Sequence, residues 1–502
     1  MQVDTLAVVA QETTAKRTAA SIEHYNVIVV GAGFAGIGAA IKLQQAGFDF
    51  QLLEKAAEIG GVWRDNNYPG CACDVPSALY SYSFAPNPHW SRLFAEQAEI
   101  KDYTADVARR FDLTSSIRLN HALLRATWDA GEQLWHLETN AGVFTACFVI
   151  MACGPMHKPA LPVIQGIETF PGTSFHSARW DHTCDLTGKR VAVIGSGASA
   201  IQFLPVIQPE VGHLSLFQRT APWVLPKIDA SISKKWRRRF ERYPVLQSFL
   251  RKLLYLGFEK LNSGLNKPKF RQRLESRALG NIKRAISDPS LIEKLTPNFA
   301  IGCKRILQSN TWYRALAQSN VDVMGGIAEV QGNRLIAADG STCEADVIIY
   351  ATGFEVANPP VAEIIIGTTG QSLAEQWQGS PEVFLGTTTE NCPNLFLTFG
   401  PNLYTFSSAF VIIEAQLKYI MSALKKVRTK RLTTLMLKSE ISRSYNRQLQ
   451  HALNSSVWNS GGCTSYFIDK NGRNSTNWPW TTFYMRRRLS QINVDDYEIT
   501  SR

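Results

Sequence analysis

Cysteine is scarce and poorly spaced for chemistry of its own. Nine cysteines in 502 residues show no paired CxxC spacing of a zinc site and none of the density of a secreted disulfide scaffold. No metal site is therefore expected, and the thiols read as reduced, as in a cytoplasmic protein. No run of 18 uncharged apolar residues occurs, so no membrane-spanning helix is expected. The first twenty residues place Asp4 before any basic residue and break their apolar stretch at Gln11, unlike a signal peptide. Residues 1–21 read as a polar, mobile extension. Charge is thin at 19% against 45% apolar residues, which excludes extended disorder. The length implies two or three folding units rather than one small binding module.

Positive charge exceeds negative, with 53 Lys and Arg against 42 Asp and Glu, but the excess is local. Residues Lys234 to Arg284 hold 16 cations and 3 acids, a local +13, and the remainder carries −2. Nothing outside that stretch suggests nucleic acid or membrane binding.

The apolar run Asn26–Val30 ends in Gly31-Ala-Gly-Phe-Ala-Gly36, followed by Ile37, Ala40, Ile41 and Leu43 at helical spacing. Strand, glycine turn and helix are predicted in that order. The arrangement recurs at Arg190–Ile194, Gly195-Ser-Gly-Ala-Ser-Ala200 and a helix from Ile201. Bare glycine backbone lets a pyrophosphate approach a helix N-terminus, where unpaired N–H groups and the helix dipole favour anions. The predicted fold is therefore α/β, with two Rossmann-like dinucleotide-binding domains and a helical insertion in the second. Residues 22–159 and 346–502 would form a discontinuous first domain for FAD. Residues 160–345 would form the NADPH domain, carrying the basic insertion at 230–300.

Residues near the end of the second strand separate the two sites. Glu54 follows the first glycine turn and suits a free ribose diol. Gln218, Arg219 and Thr220 follow the second, and Arg219 suits a 2′-phosphate. Two dinucleotides in one chain imply an internal redox relay, with FAD accepting a hydride and passing electrons onward.

With these motifs in place, the segment Phe170-Pro-Gly-Thr-Ser-Phe-His-Ser-Ala-Arg-Trp-Asp181 fits the fingerprint FxGxxxHxxxW(P/D) at Phe170, Gly172, His176, Trp180 and Asp181. The sequence thereby resembles the class B flavoprotein monooxygenases, and within them the type I Baeyer–Villiger monooxygenases. Gly60–Trp63, Tyr68–Gly70 and Cys73 through Tyr80 resemble the family's flavin-covering segment. The resemblance runs from about residue 24 to Gly472–Asn474 and Trp478-Pro479, and is weakest in the basic insertion. It implies Arg305 as the catalytic arginine, Asp74 as the acid that positions it, and Lys304 as Arg219's companion on the 2′-phosphate. Flavin contacts are expected from Gly31, Gly33, Gly36, Glu54, Gly61, Trp63, Asp74 and Tyr80. NADPH contacts are expected from Gly195, Gly197, Ser199, Gln202, Arg219, Thr220 and Lys304. His176 and Trp180 would couple the domains rather than move protons.

The implied reaction takes NADPH and O2 and, through a C4a-peroxyflavin, inserts oxygen beside a ketone carbonyl to give an ester or lactone. An N- or S-oxidising flavin monooxygenase is the alternative, although its fingerprint usually ends in Phe or Tyr and does not call for Asp74 with Arg305. A membrane-surface or partner-binding protein with relic Rossmann folds ranks below both. A disulfide reductase would need a redox-active cysteine pair beside the flavin, and Cys71-Ala-Cys73 offers only neighbours that point to opposite faces of an extended segment. Ala152-Cys-Gly154 and Ser465-Tyr-Phe467 depart from the family's Ala-Thr-Gly and Ser-Trp-Tyr. Tyr404 and Phe406 are candidates for an apolar pocket. Apolar residues at 249, 250, 253, 254, 256 and 258 make the insertion amphipathic. The expected arrangement is a lid packed against its own domain, with peripheral contact to an anionic membrane as the alternative.

Overall fold

The computed structural model describes residues 22–501. The expected mobile extension at 1–21 lies outside them. The strand Glu23–Val30 sits inside an eight-stranded sheet, parallel to Phe50–Leu53 on one side and to Gly142–Met151 on the other. Val27, Ile28 and Val29 are wholly buried, as a strand covered on both faces requires. The helix Phe34–Gln45 follows. Its small residues admit a close neighbour, since a Cβ on Gly38 would lie 2.9 Å from Leu417 Cδ1 on the long helix Ala409–Lys430.

A second, five-stranded parallel sheet has the order Val321–Met324, His213–Phe217, Arg190–Ile194, Val347–Tyr350, Thr173–His176. This corrects the expected domain break at 345/346. Val347–Tyr350 pairs with the strand that carries the second glycine turn, so the chain leaves this sheet after Tyr350. It then returns to the first sheet through Ile365–Ile366 and Leu395–Leu397.

The basic stretch forms four helices, Lys234–Arg242, Pro244–Gly264, Pro268–Ala285 and Pro289–Lys294. Pro244, Pro268 and Pro289 each open a helix, where a missing N–H costs nothing. The apolar stripe expected to pack inward does so only in part: Leu254 and Phe258 pack against the core, and Leu250 is half-buried. Val245, Leu246, Phe249, Leu253 and Leu256 face outward, and the inward side of Pro244–Gly264 carries the buried Gln247, Tyr255, Glu259 and Asn262 beside the half-buried Leu254 and Phe258. Among the described residues, no helix is long and apolar enough to cross a membrane.

Candidate active site

Both glycine turns are built alike. Gly31 and Gly195 have φ of +105° and +106°, and a Cβ on either would lie 2.6 or 2.5 Å from the carbonyl oxygen of Ala152 or Ala351. Only glycine fits such a position, and the departure at Cys153 leaves this contact unchanged, because it is made by the backbone of Ala152. Gly61 repeats the constraint, with φ +56° and a Cβ that would meet Gly33 Cα at 3.0 Å. These backbones open on a cavity of about 1390 Å³ between the two sheets, above the usual range of roughly 300–1000 Å³ for one small ligand.

Every expected site residue lines that cavity except Gly36. Gly36 stands behind the turn, where a Cβ would collide with Gly31 O at 1.8 Å, so it packs the helix onto the turn instead of facing the cavity. Glu54 is buried. It accepts hydrogen bonds from Ala32 N at 2.7 Å and Ala56 N at 3.0 Å, and it pairs with Arg64 at 2.9 Å. Arg64, also on the cavity wall, has no signal in the sequence. Trp63 Nε1 donates to Tyr80 Oη at 3.0 Å. Gln202 binds the first sheet's loop, accepting from Tyr68 Oη at 2.9 Å and donating to Ala72 O at 2.9 Å. Ser199 Oγ accepts from Ser177 Oγ at 3.1 Å.

Two cations stand together on the second nucleotide's side. Lys304 Nζ donates to Thr220 Oγ1 at 2.7 Å. Burial, and then the Arg219 charge, pull the lysine's pKa down. Among the described residues neither cation has an acidic partner within 4.0 Å. Like charges held together without a counter-ion suit a bound anion.

Arg305 meets Asp74 with Nε at 2.7 Å from Oδ2 and Nη2 at 2.6 Å from Oδ1. Burial opposes the Asp74 carboxylate, but the Arg305 charge and hydrogen bonds outweigh it and hold its pKa below the usual range. The carboxylate in turn raises Arg305. The pair keeps 38% and 24% of its side-chain surface open. Tyr466 and Tyr404 share this end of the cavity. Burial raises both phenols, with Arg305 as the opposing influence. Tyr404 Oη has no hydrogen-bond partner, whereas Phe406 stacks on Trp458 outside the cavity.

His176 ends a strand of the second sheet with its ring buried, and its Nδ1 accepts from Ala178 N at 3.0 Å. Trp180 packs between Phe175 and Phe203. Neither lines the cavity. Cys71 and Cys73 are buried free thiols, Cys71 pushed up to about 12 by burial.

The reading of all nine cysteines as reduced is corrected at one pair. Cys303 and Cys463 form a disulfide across 160 residues. Its half-cystines immediately precede Lys304-Arg305 and the cavity-lining Thr464–Tyr466. Spacing in the sequence gives no hint of a pairing so remote.

A "Baeyer-Villiger monooxygenase" of Streptomyces coelicolor is 45% identical over 485 residues, covering 95% of this chain and 93% of the relative. The chain belongs to the Baeyer–Villiger monooxygenase family. A Pseudomonas aeruginosa relative of the same name is 43% identical across 96% of this chain and 93% of its own. The family model described as pyridine nucleotide-disulphide oxidoreductase matches residues 28–247. Among solved structures, the family's cyclohexanone monooxygenase from Rhodococcus sp. Phi1 bound to NADP+ superposes with a TM-score of 0.86 at 26% identity. It covers 96% of this chain and all of that one.

Proposed function

We propose that the chain is an FAD-dependent Baeyer–Villiger monooxygenase, converting a ketone, O2, NADPH and a proton into an ester or lactone, NADP+ and water. The observation that carries this reading is the Arg305–Asp74 pair, set in one cavity with two glycine turns that no side chain could occupy. The reading is supported by the family's names and by a neighbour bound to NADP+.

The residues fit both nucleotides. Gly31, Gly33 and Gly61 leave bare backbone for the FAD pyrophosphate, and Glu54 presents a carboxylate to the ribose. Gly195 and Gly197 serve the NADPH pyrophosphate, and Arg219, Lys304 and Thr220 its 2′-phosphate. Bound FAD, with NADPH as reductant and O2 as oxidant, would supply the activated oxygen. Arg305 stabilises the negative charge that develops during oxygen insertion, as a fixed cation at a water-poor site does. Asp74 fixes its orientation. Tyr404 and Tyr466 narrow the cavity beside it and keep water from the reacting oxygen.

Purified protein should be yellow and should convert members of a panel of cyclic, aromatic and long-chain ketones to esters with matching NADPH consumption. NADPH oxidation that yields sulfoxides or N-oxides from test amines and sulfides, with no ester from any ketone, would replace this reading by heteroatom oxidation.

A further inference from the structure

The helix Pro244–Gly264 carries apolar residues on both sides: Leu254 and Phe258 pack inward among buried polar residues, and a second apolar face is left in solvent. Gln247, Tyr255, Glu259 and Asn262, spaced along one face, are 5–8% exposed. Their polar atoms are bonded into the protein. Gln247 Nε2 donates to Asn87 O at 2.6 Å, and Thr482 Oγ1 donates to Tyr255 Oη at 2.8 Å. Glu259 accepts from Thr482 N at 3.1 Å, and Asn262 Oδ1 accepts from Thr405 Oγ1 at 3.0 Å. Arg251 on the same side donates to the carbonyls of Ala78, Leu79 and Ser81 at 2.7–3.1 Å. The opposite face holds Val245, Leu246, Phe249, Leu253 and Leu256, 42–78% exposed. The outward face of a surface helix in a soluble domain is ordinarily polar.

Further exposed aromatics lie on neighbouring helices. Trp236 on Lys234–Arg242 and Phe483 and Tyr484 on Thr482–Arg488 are also exposed, and Phe483 adjoins the helix at Tyr255, with ring centroids 5.1 Å apart. Cations border the row. Lys234, Lys235, Arg238, Arg239 and Arg242 are exposed on the preceding helix, Lys252 and Lys260 on the helix itself, and Arg486 and Arg487 on the helix of Phe483. Acids are turned away. Of the three in Lys234 to Arg284, Glu259 is buried against Thr482 and Glu275 accepts from Ile301 N, which leaves Glu241 outside.

We infer that this face docks on an anionic lipid surface, with the Val245–Leu256 row dipping into the acyl boundary and the flanking cations on the headgroups. Apolar residues on an outward helix face with a cationic border are what an interfacial helix presents, and each cation near a negatively charged leaflet adds to the attraction. The charge decides between occupants. A second copy of this chain would bring the same dense positive charge against itself, whereas anionic lipid neutralises it. The inference does not depend on the proposed reaction. It does place a lipid-facing helix one hydrogen bond from Thr405, which lines the cavity, so an apolar substrate dissolved in the bilayer would have a short way in.

Sedimentation of the full-length, flavin-loaded protein with vesicles of phosphatidylcholine and phosphatidylglycerol tests it. Binding is expected to vesicles containing phosphatidylglycerol and to weaken with salt. Arg238→Gln/Arg239→Gln/Arg242→Gln should lower the partition coefficient roughly a hundredfold. Phe249→Gln/Leu253→Gln/Leu256→Gln should lower it at least tenfold while far-ultraviolet circular dichroism and bound flavin stay unchanged, since these side chains are already in water. Three results would each overturn the inference: absence of wild-type binding, binding by both variants as strong as that of the wild type, or a dimer in solution that the Phe249/Leu253/Leu256 variant dissociates while vesicles bind neither protein.

Discussion

Arg305 spends Nε and Nη2 on Asp74, at 2.7 and 2.6 Å, while the Tyr466 phenol meets the same guanidinium. The cation is thereby fixed by one acid at the cavity wall, with the Tyr466 phenol close enough to feel its charge. Arg305→Ala should reduce ester formation by about 10²–10³, the usual loss when a preorganised charge stabiliser is removed. Flavin content should not change. Asp74→Ala should cost less, because the cation remains but its orientation is freer. The check is ester yield per NADPH, read beside the flavin spectrum, and a full ester yield from Arg305→Ala would remove it from the mechanism. Because the Asp74 pKa is lowered, the pair is ionised throughout pH 5–8. Its contribution to stability is present above the ordinary carboxylate value of about 3.9 and is lost as pH falls through the lower folded value.

Coenzyme preference rests on the unpaired cations. Arg219→Ala should raise the KM for NADPH by roughly ten- to a hundredfold, the loss of one hydrogen-bonded charge pair, and leave the KM for NADH nearly unchanged. Lys304→Ala should act in the same direction. Stopped-flow flavin reduction with each coenzyme measures this, and equal efficiency of NADH and NADPH in the wild type would refute the assignment.

His176 gives a signature in acid. Burial lowers its pKa to about 4, against about 6.5 in an unfolded chain. Between those values the unfolded state binds the proton and the folded state does not, so stability falls as pH drops from about 6.5 to about 4. His176→Gln should flatten that part of the curve without changing the pH dependence of ester formation at neutral pH. Urea unfolding across the window tests it, and an unchanged slope in the variant would assign the acid sensitivity elsewhere.

The glycine turns were legible because backbone sterics act within a few residues. A positive φ beside a carbonyl admits glycine alone, and the strand and helix on either side are local patterns. Orientation was not legible. The apolar spacing of 249–258 does not say which of its residues turn inward: Leu254 and Phe258 do, and Phe249, Leu253 and Leu256 do not. That was decided by partners far away in sequence, Asn87, the 78–81 carbonyls and Thr482. The domain break failed for a related reason, because Val347–Tyr350 is a buried strand whichever sheet receives it. Arg64 reaches the cavity through tertiary packing that no short motif marks, whereas Tyr466 lies in the Ser465–Phe467 motif.

The Cys303–Cys463 bond lies furthest from anything the sequence shows, and it carries the last prediction. It ties the segment before Lys304-Arg305 to the segment before Thr464–Tyr466. Close by, Ala300 N donates to Gly461 O at 2.9 Å. Closing a loop of this length restricts the unfolded chain and is worth roughly 3–5 kcal/mol in the entropic account. Cys303→Ser and Cys463→Ser should each lower the unfolding temperature by several degrees. The double variant should fall no further than either single one, because the first substitution already removes the bond. Loss of the tie should also free the Tyr466 segment, so that more NADPH ends as hydrogen peroxide and less as ester. Mass spectrometry of the denatured, unreduced protein should show a peptide pair joined through these two cysteines. Free thiols at both positions, with no thermal shift in either single variant, would show that the bond does not form.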